Sequence, residues 1–183
     1  MEIDRRAALL GLAAAGATVP LLVLPAQAQT QPASSVAGAD NYVQQTLLVG
    51  SVALKTSEIA VQKATDPNVK QFAELEVAEQ QTVASVLSAT PAGQQPPEMP
   101  PERQQMIDDL NAMEAGPEFD QAYLQGQIEG HNELLQIQQT LSGEREASVE
   151  AVTARLAEQA VASHLAMLNL IQQMLGAENI QNI

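Results

Sequence analysis

The sequence predicts an all-α protein: a ferritin-like, up-and-down bundle of four long helices with a long Pro-rich crossover and one short extra helix. Three observations carry that prediction. Apolar residues recur every three or four positions through four segments; Asp-Pro, Gly-Pro and Ser-Gly steps separate segments; and no stretch alternates with the period of two that a half-buried strand needs. A chain of 183 residues has room for one such domain.

The chain opens on Met1-Glu2-Ile3-Asp4-Arg5-Arg6, continues uncharged from Ala7 to Pro25, and then reads Ala26-Gln27-Ala28. A basic start, an apolar centre and a small-x-small end describe a cleavable export signal over residues 1–28, with the cut before Gln29. Arg5 and Arg6 resemble the pair of a twin-arginine signal, although Ala8 stands where such signals usually carry an aromatic residue or Leu. The apolar run is also close to the length of a membrane span, but Gly11, Gly16, Pro20 and the Ala26 to Ala28 ending favour cleavage. The expected location is therefore the bacterial periplasm or cell envelope, with membrane contact only through an uncleaved signal. Residues 29–38, rich in Gln, Ser, Ala and Gly, read as a flexible lead-in to a bundle over 39–176, with 177–183 as a C-terminal tail.

Val43, Leu47, Gly50, Leu54, Ser57, Val61 and Ala64 form one stripe of a first helix. Asp66 then caps a second helix with Pro67 at its first position, where a missing N–H costs nothing. That helix runs to about Ala89 with Val69, Phe72, Ala73, Val83, Ala84 and Leu87 inward. Thr90 to Pro101 is too Pro-rich for a helix or a central strand and serves as the crossover. A short helix with Met106, Ile107, Leu110 and Met113 ends at Gly116-Pro117. The third long helix follows to Leu141, and the fourth runs from about Glu144 to Leu175, with Gly176 as its stop. Two hairpins joined by one long crossover is the connectivity of ferritin-like bundles.

Composition excludes several functions. The chain has no cysteine, which removes disulfides, thiolate metal sites and cysteine nucleophiles. A net charge of −14, with eight Lys plus Arg, argues against nucleic acid and against an anionic membrane surface. No Ser-His-Asp order, phosphate loop or nucleophile elbow is present.

Helical spacing places Glu76 and Gln80 in the middle of the second helix's apolar face, Gln127, His131 and Gln138 on that of the third, and His164 on that of the fourth. An unpaired buried polar group costs about 1–3 kcal/mol, so these side chains need partners. They form a hydrogen-bonded layer that sets helix register, or a metal or small-ligand site, or they meet solvent at a loose end of the bundle. Counting from Ser142-Gly143 at about 1.5 Å per residue puts His131 roughly 17 Å and His164 roughly 27 Å down the hairpin, too far apart to share an ion. Ile128 and Val161 stand three residues before the histidines, so the paired Glu-x-x-His of di-iron bundles is absent. Glu129 and Glu133 fall on the solvent side, and Asp120 sits at the positive end of the third helix.

Phe119-Asp120-Gln121-Ala122-Tyr123-Leu124 followed by Gly130-His131, Ala64 to Ala73 across the first turn, and His164-Leu165 resemble the DUF4142 family of exported bacterial proteins over about Asn41 to Leu175. The resemblance implies a ferritin-like bundle with no well-established activity, in which Phe119, Asp120 and Tyr123 belong to the family motif. Where the family commonly carries a Glu on the first helix and a His on the second, this chain has Ala53 and Gln80, which are expected to face each other. That weakens an inherited cation site.

The function expected from these readings is a non-enzymatic, binding or stress-related envelope protein whose partner is an envelope protein or a small molecule. An apolar outer stripe of Leu48, Val52 and Ile59 is the expected partner or homodimer surface. The alternative is a ferritin-like metal-binding or redox protein with a degenerate site. Glu76, Gln80, His131 and His164 would be its ligand candidates, and iron, manganese or zinc the candidate ion.

Overall fold

A computed structural model describes residues 33–145 and 147–181, and the account below is of these residues. The signal segment, with Arg5, Arg6, Ala26 and Ala28, lies outside them. Five helices follow one another: α1 (Ala33–Lys63), α2 (Pro67–Ser88), α3 (Pro101–Ala112), α4 (Pro117–Ser142) and α5 (Val149–Gln181), with a single 3-10 turn at Pro91–Gly93. No strand occurs among the described residues, and none of their helices is long and apolar enough to cross a membrane. The fold class is the all-α arrangement that the apolar periodicity predicts.

α1 and α2 form one hairpin, α4 and α5 the other, and α1 also packs along α4. The turn between α1 and α2 follows the expected chemistry. Asp66 Oδ1 accepts from the N–H groups of Asn68 at 2.8 Å and Val69 at 3.0 Å, with Pro67 opening the helix. Gly116 enters α4 with φ 156°, a backbone state that residues with a Cβ rarely adopt.

Three boundaries differ from the sequence expectation. α1 begins at Ala33, so the second half of the expected lead-in is helical. Gly176 does not stop α5, which continues to Gln181; no described glycine other than Gly116 has positive φ, and a glycine inside a helix costs only about 1 kcal/mol relative to Ala. α5 also starts at Val149 rather than Glu144, which matters for the site below.

The interior holds two apolar clusters. One gathers Val69, Phe72, Ala73, Phe119, Tyr123, Leu124, Leu168 and Ile171. The other gathers Tyr42, Val43, Leu47, Leu87, Leu134, Ile137, Ala154 and Val161. On α2, α4 and α5 alike, the buried positions between these clusters are polar: Glu76 and Gln80, Gln127 and His131, and His164.

The apolar stripe expected on the outside of α1 is not exposed. Val52 is buried, and Leu48 and Ile59 are partly covered, Ile59 lying against the inner apolar cluster. Short helix α3 packs against α1 and α4. Lys63 Nζ ties its end by donating to the carbonyls of Asn111 and Met113, and Arg103 pairs with Glu133 of α4 at 2.6 Å, so Glu133 is not a free solvent charge. Most exposed large apolar residues lie instead on α2 and α5, among them Leu75, Val86, Val152, Leu156 and Leu170, with Met106 on α3.

Candidate metal centre

Glu76 sits one turn beyond Ala73 on the inward face of α2, fully buried with a carboxylate that has to be paired. Its Oε1 accepts from Gln80 Nε2 at 2.9 Å, an i to i+4 contact along the same helix. Its Oε2 accepts no aligned hydrogen bond, yet two imidazole nitrogens converge on it: His131 Nε2 at 3.4 Å and His164 Nδ1 at 3.2 Å. The two nitrogens are 3.2 Å from each other. Three donor atoms from α2, α4 and α5 thus form a nearly equilateral triangle.

This convergence corrects the expectation that the histidines lie too far apart. α4 ends at Ser142 and α5 starts only at Val149, so His131 is eleven residues before the end of α4 and His164 fifteen after the start of α5. The remaining offset, about 6 Å at 1.5 Å per residue, is closed by side-chain direction. Every helical Cβ leans toward its own helix's N-terminus, so on antiparallel helices His131 leans away from the turn and His164 leans toward it.

Each corner of the triangle is oriented from behind. His131 Nδ1 lies 2.8 Å from the Gln127 carbonyl; a carbonyl only accepts, so Nδ1 carries the proton and Nε2 of a neutral ring presents its lone pair to the centre. His164 Nε2 faces Glu79 Oε2 at 3.4 Å, and Gln80 holds Glu76. The ring of Phe72 packs against both imidazoles, with centroids at 5.9 and 5.5 Å, and shields them from water. Histidine backed by a carboxylate or carbonyl is the usual outer shell of a metal site.

The electrostatics follow from this packing. Burial alone would raise the Glu76 carboxyl, but the two imidazoles that face its Oε2 and the Gln80 amide on its Oε1 overcome it and hold the group down at about 2. Burial alone would lower His164; the Glu76 oxygen that faces its Nδ1 and the charges of Glu79 and Glu76 reverse that and raise it. Burial raises Glu79, against the opposing charge of His164.

Among the residues singled out from sequence, Glu76, Gln80, His131 and His164 come together. Phe119 and Tyr123 do not join them; they fill the apolar cluster on one side, Tyr123 sharing a 2.9 Å hydrogen bond with Ser57. Asp120 does more than face the helix end: it accepts from the N–H and hydroxyl of Thr65 and from the N–H of Asp66, clamping the α1–α2 turn. Gln80 reaches α1 at Gly50, one turn before Ala53. A Cβ added at Gly50 would lie 2.5 Å from Gln80 Oε1, and Ala53 lines a cavity beside α3. Sequence reasoning missed Glu79 and Phe72 as site residues. Glu79 is three positions from Glu76, a spacing that marks one helix face, and Phe72 is four.

The sequence profile of DUF4142, described as a domain of unknown function, matches residues 24–174. No curated protein matches the chain. Two solved structures share its fold. One is a DUF305 protein from Streptomyces coelicolor described as secreted, 18% identical with a TM-score of 0.64, the match covering 75% of this chain and 92% of that one. The other is a DUF305 fragment from Deinococcus radiodurans, 18% identical with a TM-score of 0.56, covering 76% and 96%.

Proposed function

Because the chain belongs to the DUF4142 family, whose shared domain is one of unknown function, we propose its function from the site itself: an ion-binding protein that holds one divalent transition metal, zinc in the first instance, on Glu76, His131 and His164. One observation carries this reading. The three donor atoms stand 3.2, 3.2 and 3.4 Å apart, and ligands about 2.0–2.1 Å from a tetrahedral zinc ion stand about 3.3 Å from one another. Two imidazoles and one carboxylate are a donor set that zinc takes in tetrahedral sites and that iron shares, so zinc is the first ion to test, with iron and manganese beside it. The charges also balance: a doubly positive ion is matched by Glu76 in contact and Glu79 behind His164. Glu79, which faces His164 Nε2, is 31% exposed and lines a groove of about 500 Å³ between α2 and α5, the nearest approach of solvent to the site's outer shell.

Dialysis of the purified protein against zinc, iron and manganese, followed by elemental analysis, tests the assignment. One zinc per chain is expected, lost in His131→Ala and His164→Ala. Protein that retains no ion, or variants that retain it equally, would overturn it.

The ion is bound outside the cytoplasm in this proposal. Arg5-Arg6, the apolar run and Ala26-Gln27-Ala28 support export, and a structural neighbour is described as secreted. Fractionation of cells expressing the full chain should recover a product beginning at Gln29 in the periplasm; full-length protein in the cytoplasm would refute this.

A further inference from the structure

α5 is apolar on two faces. One packs into the bundle through Ala154, Val161, Leu168 and Ile171. The other is bare: Val149, Val152, Leu156, Met167, Leu170 and Met174 are all exposed, Leu156 at 71% and Leu170 at 57%. With Ala160 and Ser163 between them, these residues follow one another at steps of three and four, so they share one stripe along the helix. A helix that only closes a bundle keeps its outer face polar and has no use for a second stripe. On α2, Val83 and Val86 widen this face, lining a groove with Val149, Val152 and Leu156.

The stripe fits a second copy of itself. Its middle lies between Ala160 and Ser163, and the spacing reads nearly the same in either direction from there. A two-fold axis at that point, with the two α5 helices antiparallel, sets Leu156 against the partner's Met167, Val149 against the partner's Met174 and Val152 within one residue of the partner's Leu170. Packed helices cross at an angle and are closest at the crossing point. Small Ala160 and Ser163 stand there, and the large side chains stand toward the ends, where the gap widens.

Area and charge agree with this pairing. The stripe is about 37 Å long. A strip of that length and two helix diameters wide, α5 with α2 beside it, is on the order of 750 Å². That is more than the largest apolar patch of an ordinary monomer and close to the ~800 Å² that each partner gives to a stable interface. The chain carries a net charge of −14, yet from Gln159 to Ala177 it has no Asp, Glu, Lys or Arg, so two acidic copies can meet along this half of α5 without apposing like charges from it.

We propose that the exposed face of α5 is the interface of an antiparallel, two-fold symmetric homodimer. None of its side chains is a metal-ligand candidate, so the pairing is independent of the metal reading.

Sedimentation of the purified protein at low and high micromolar concentration tests the pairing. A reversible dimer is expected. Leu156→Glu and Leu170→Glu should each raise its dissociation constant about a hundredfold and leave the helical circular dichroism unchanged, since both residues are exposed in the single chain. The chain has no cysteine, so single introduced thiols report the orientation. Leu156→Cys and Met167→Cys chains, oxidised as an equal mixture, should join in a mixed disulfide. Each alone should stay unlinked, because an offset of eleven residues is about 16 Å and a disulfide joins Cα atoms no more than about 7 Å apart. A monomer at the higher concentration, a dimer that both Glu variants leave intact, or thiol variants that link only to themselves would each overturn the proposal. The first outcome would leave the face to a different partner, the second would put the interface elsewhere, and the third would make the helices parallel.

Discussion

His131 Nε2 lies 3.2 Å from His164 Nδ1, although the two residues are 33 positions apart on antiparallel helices, and both atoms face the one oxygen of Glu76 that no aligned hydrogen bond occupies. Two nitrogens and a carboxylate oxygen packed so closely need either an imidazole N–H hydrogen or a metal ion among them. That competition governs the first expected behaviour.

In the ion-free protein the two perturbed groups pull stability in opposite directions with pH. Glu76 is lowered from 4.5 to about 2, so its contribution is present above about pH 4.5 and is lost as pH falls toward 2. His164 is raised above 6.5, so its contribution is complete below that pH and is lost as pH rises through the raised value. Glu79, raised from 4.5 by burial, also favours the folded state more at low pH. Denaturant unfolding across pH should therefore peak between about 4.5 and 6.5 for these groups. Zinc replaces the proton, so with the ion at a hundredfold excess over its Kd the protein should gain about 2.7 kcal/mol at pH 8. A stability maximum above pH 8 without zinc would contradict this account.

Glu79 touches no ion in the proposed site but holds His164 from behind. Glu79→Gln keeps the shape and removes the charge, and zinc affinity should fall by about 10- to 100-fold. Competition with a chromophoric chelator measures it. Unchanged affinity would make Glu79 a bystander at the surface.

Gly50 leaves the space that Gln80 occupies. A Cβ there would press on Gln80 Oε1, the free end of a flexible chain, so the strain can be relieved by swinging the amide away. Gly50→Ala should change stability by about 1 kcal/mol or less, with the better helix propensity of Ala offsetting the crowding. Glu76 loses its support, and zinc binding should weaken by about tenfold. A large fall in melting temperature would show that Gln80 cannot move.

Asp120 belongs to a different part of the molecule, about three turns of α4 from His131. Asp120→Ala strands the Thr65 and Asp66 N–H groups and should cost about 3 kcal/mol, lowering the melting temperature by roughly 6–12 °C. Zinc stoichiometry should remain one per folded chain. A change in stoichiometry without a loss of stability would contradict the assignment of this residue to the turn.

The bundle was legible in sequence because its determinants are local: Asp66-Pro67 caps α2 as written, and the apolar spacing that places Val69, Phe72 and Leu87 inward also places Glu76 there. The burial of His131 and His164 was legible for the same reason. Their meeting was not, because it depends on where α5 starts and on which way each side chain leans. Propensity alone did not exclude a helix starting at Glu144, and counting residues along an axis ignores the lean. Gly50 was legible as part of the inward stripe, but its pairing with Gln80 is a long-range fact set by hairpin geometry.

The connection from Gly143 to Ser148 has a consequence for comparing relatives of this chain. A bundle can slide one helix along another by a full turn and still bury an apolar stripe, whereas a displacement of about 5.4 Å would pull the imidazoles apart. Spacing between the histidines, taken together with the length of that linker, is therefore a sharper marker than any short motif. Kin that preserve both would inherit the chelating trio, and kin that insert a turn in α5 would keep the scaffold and lose the chemistry.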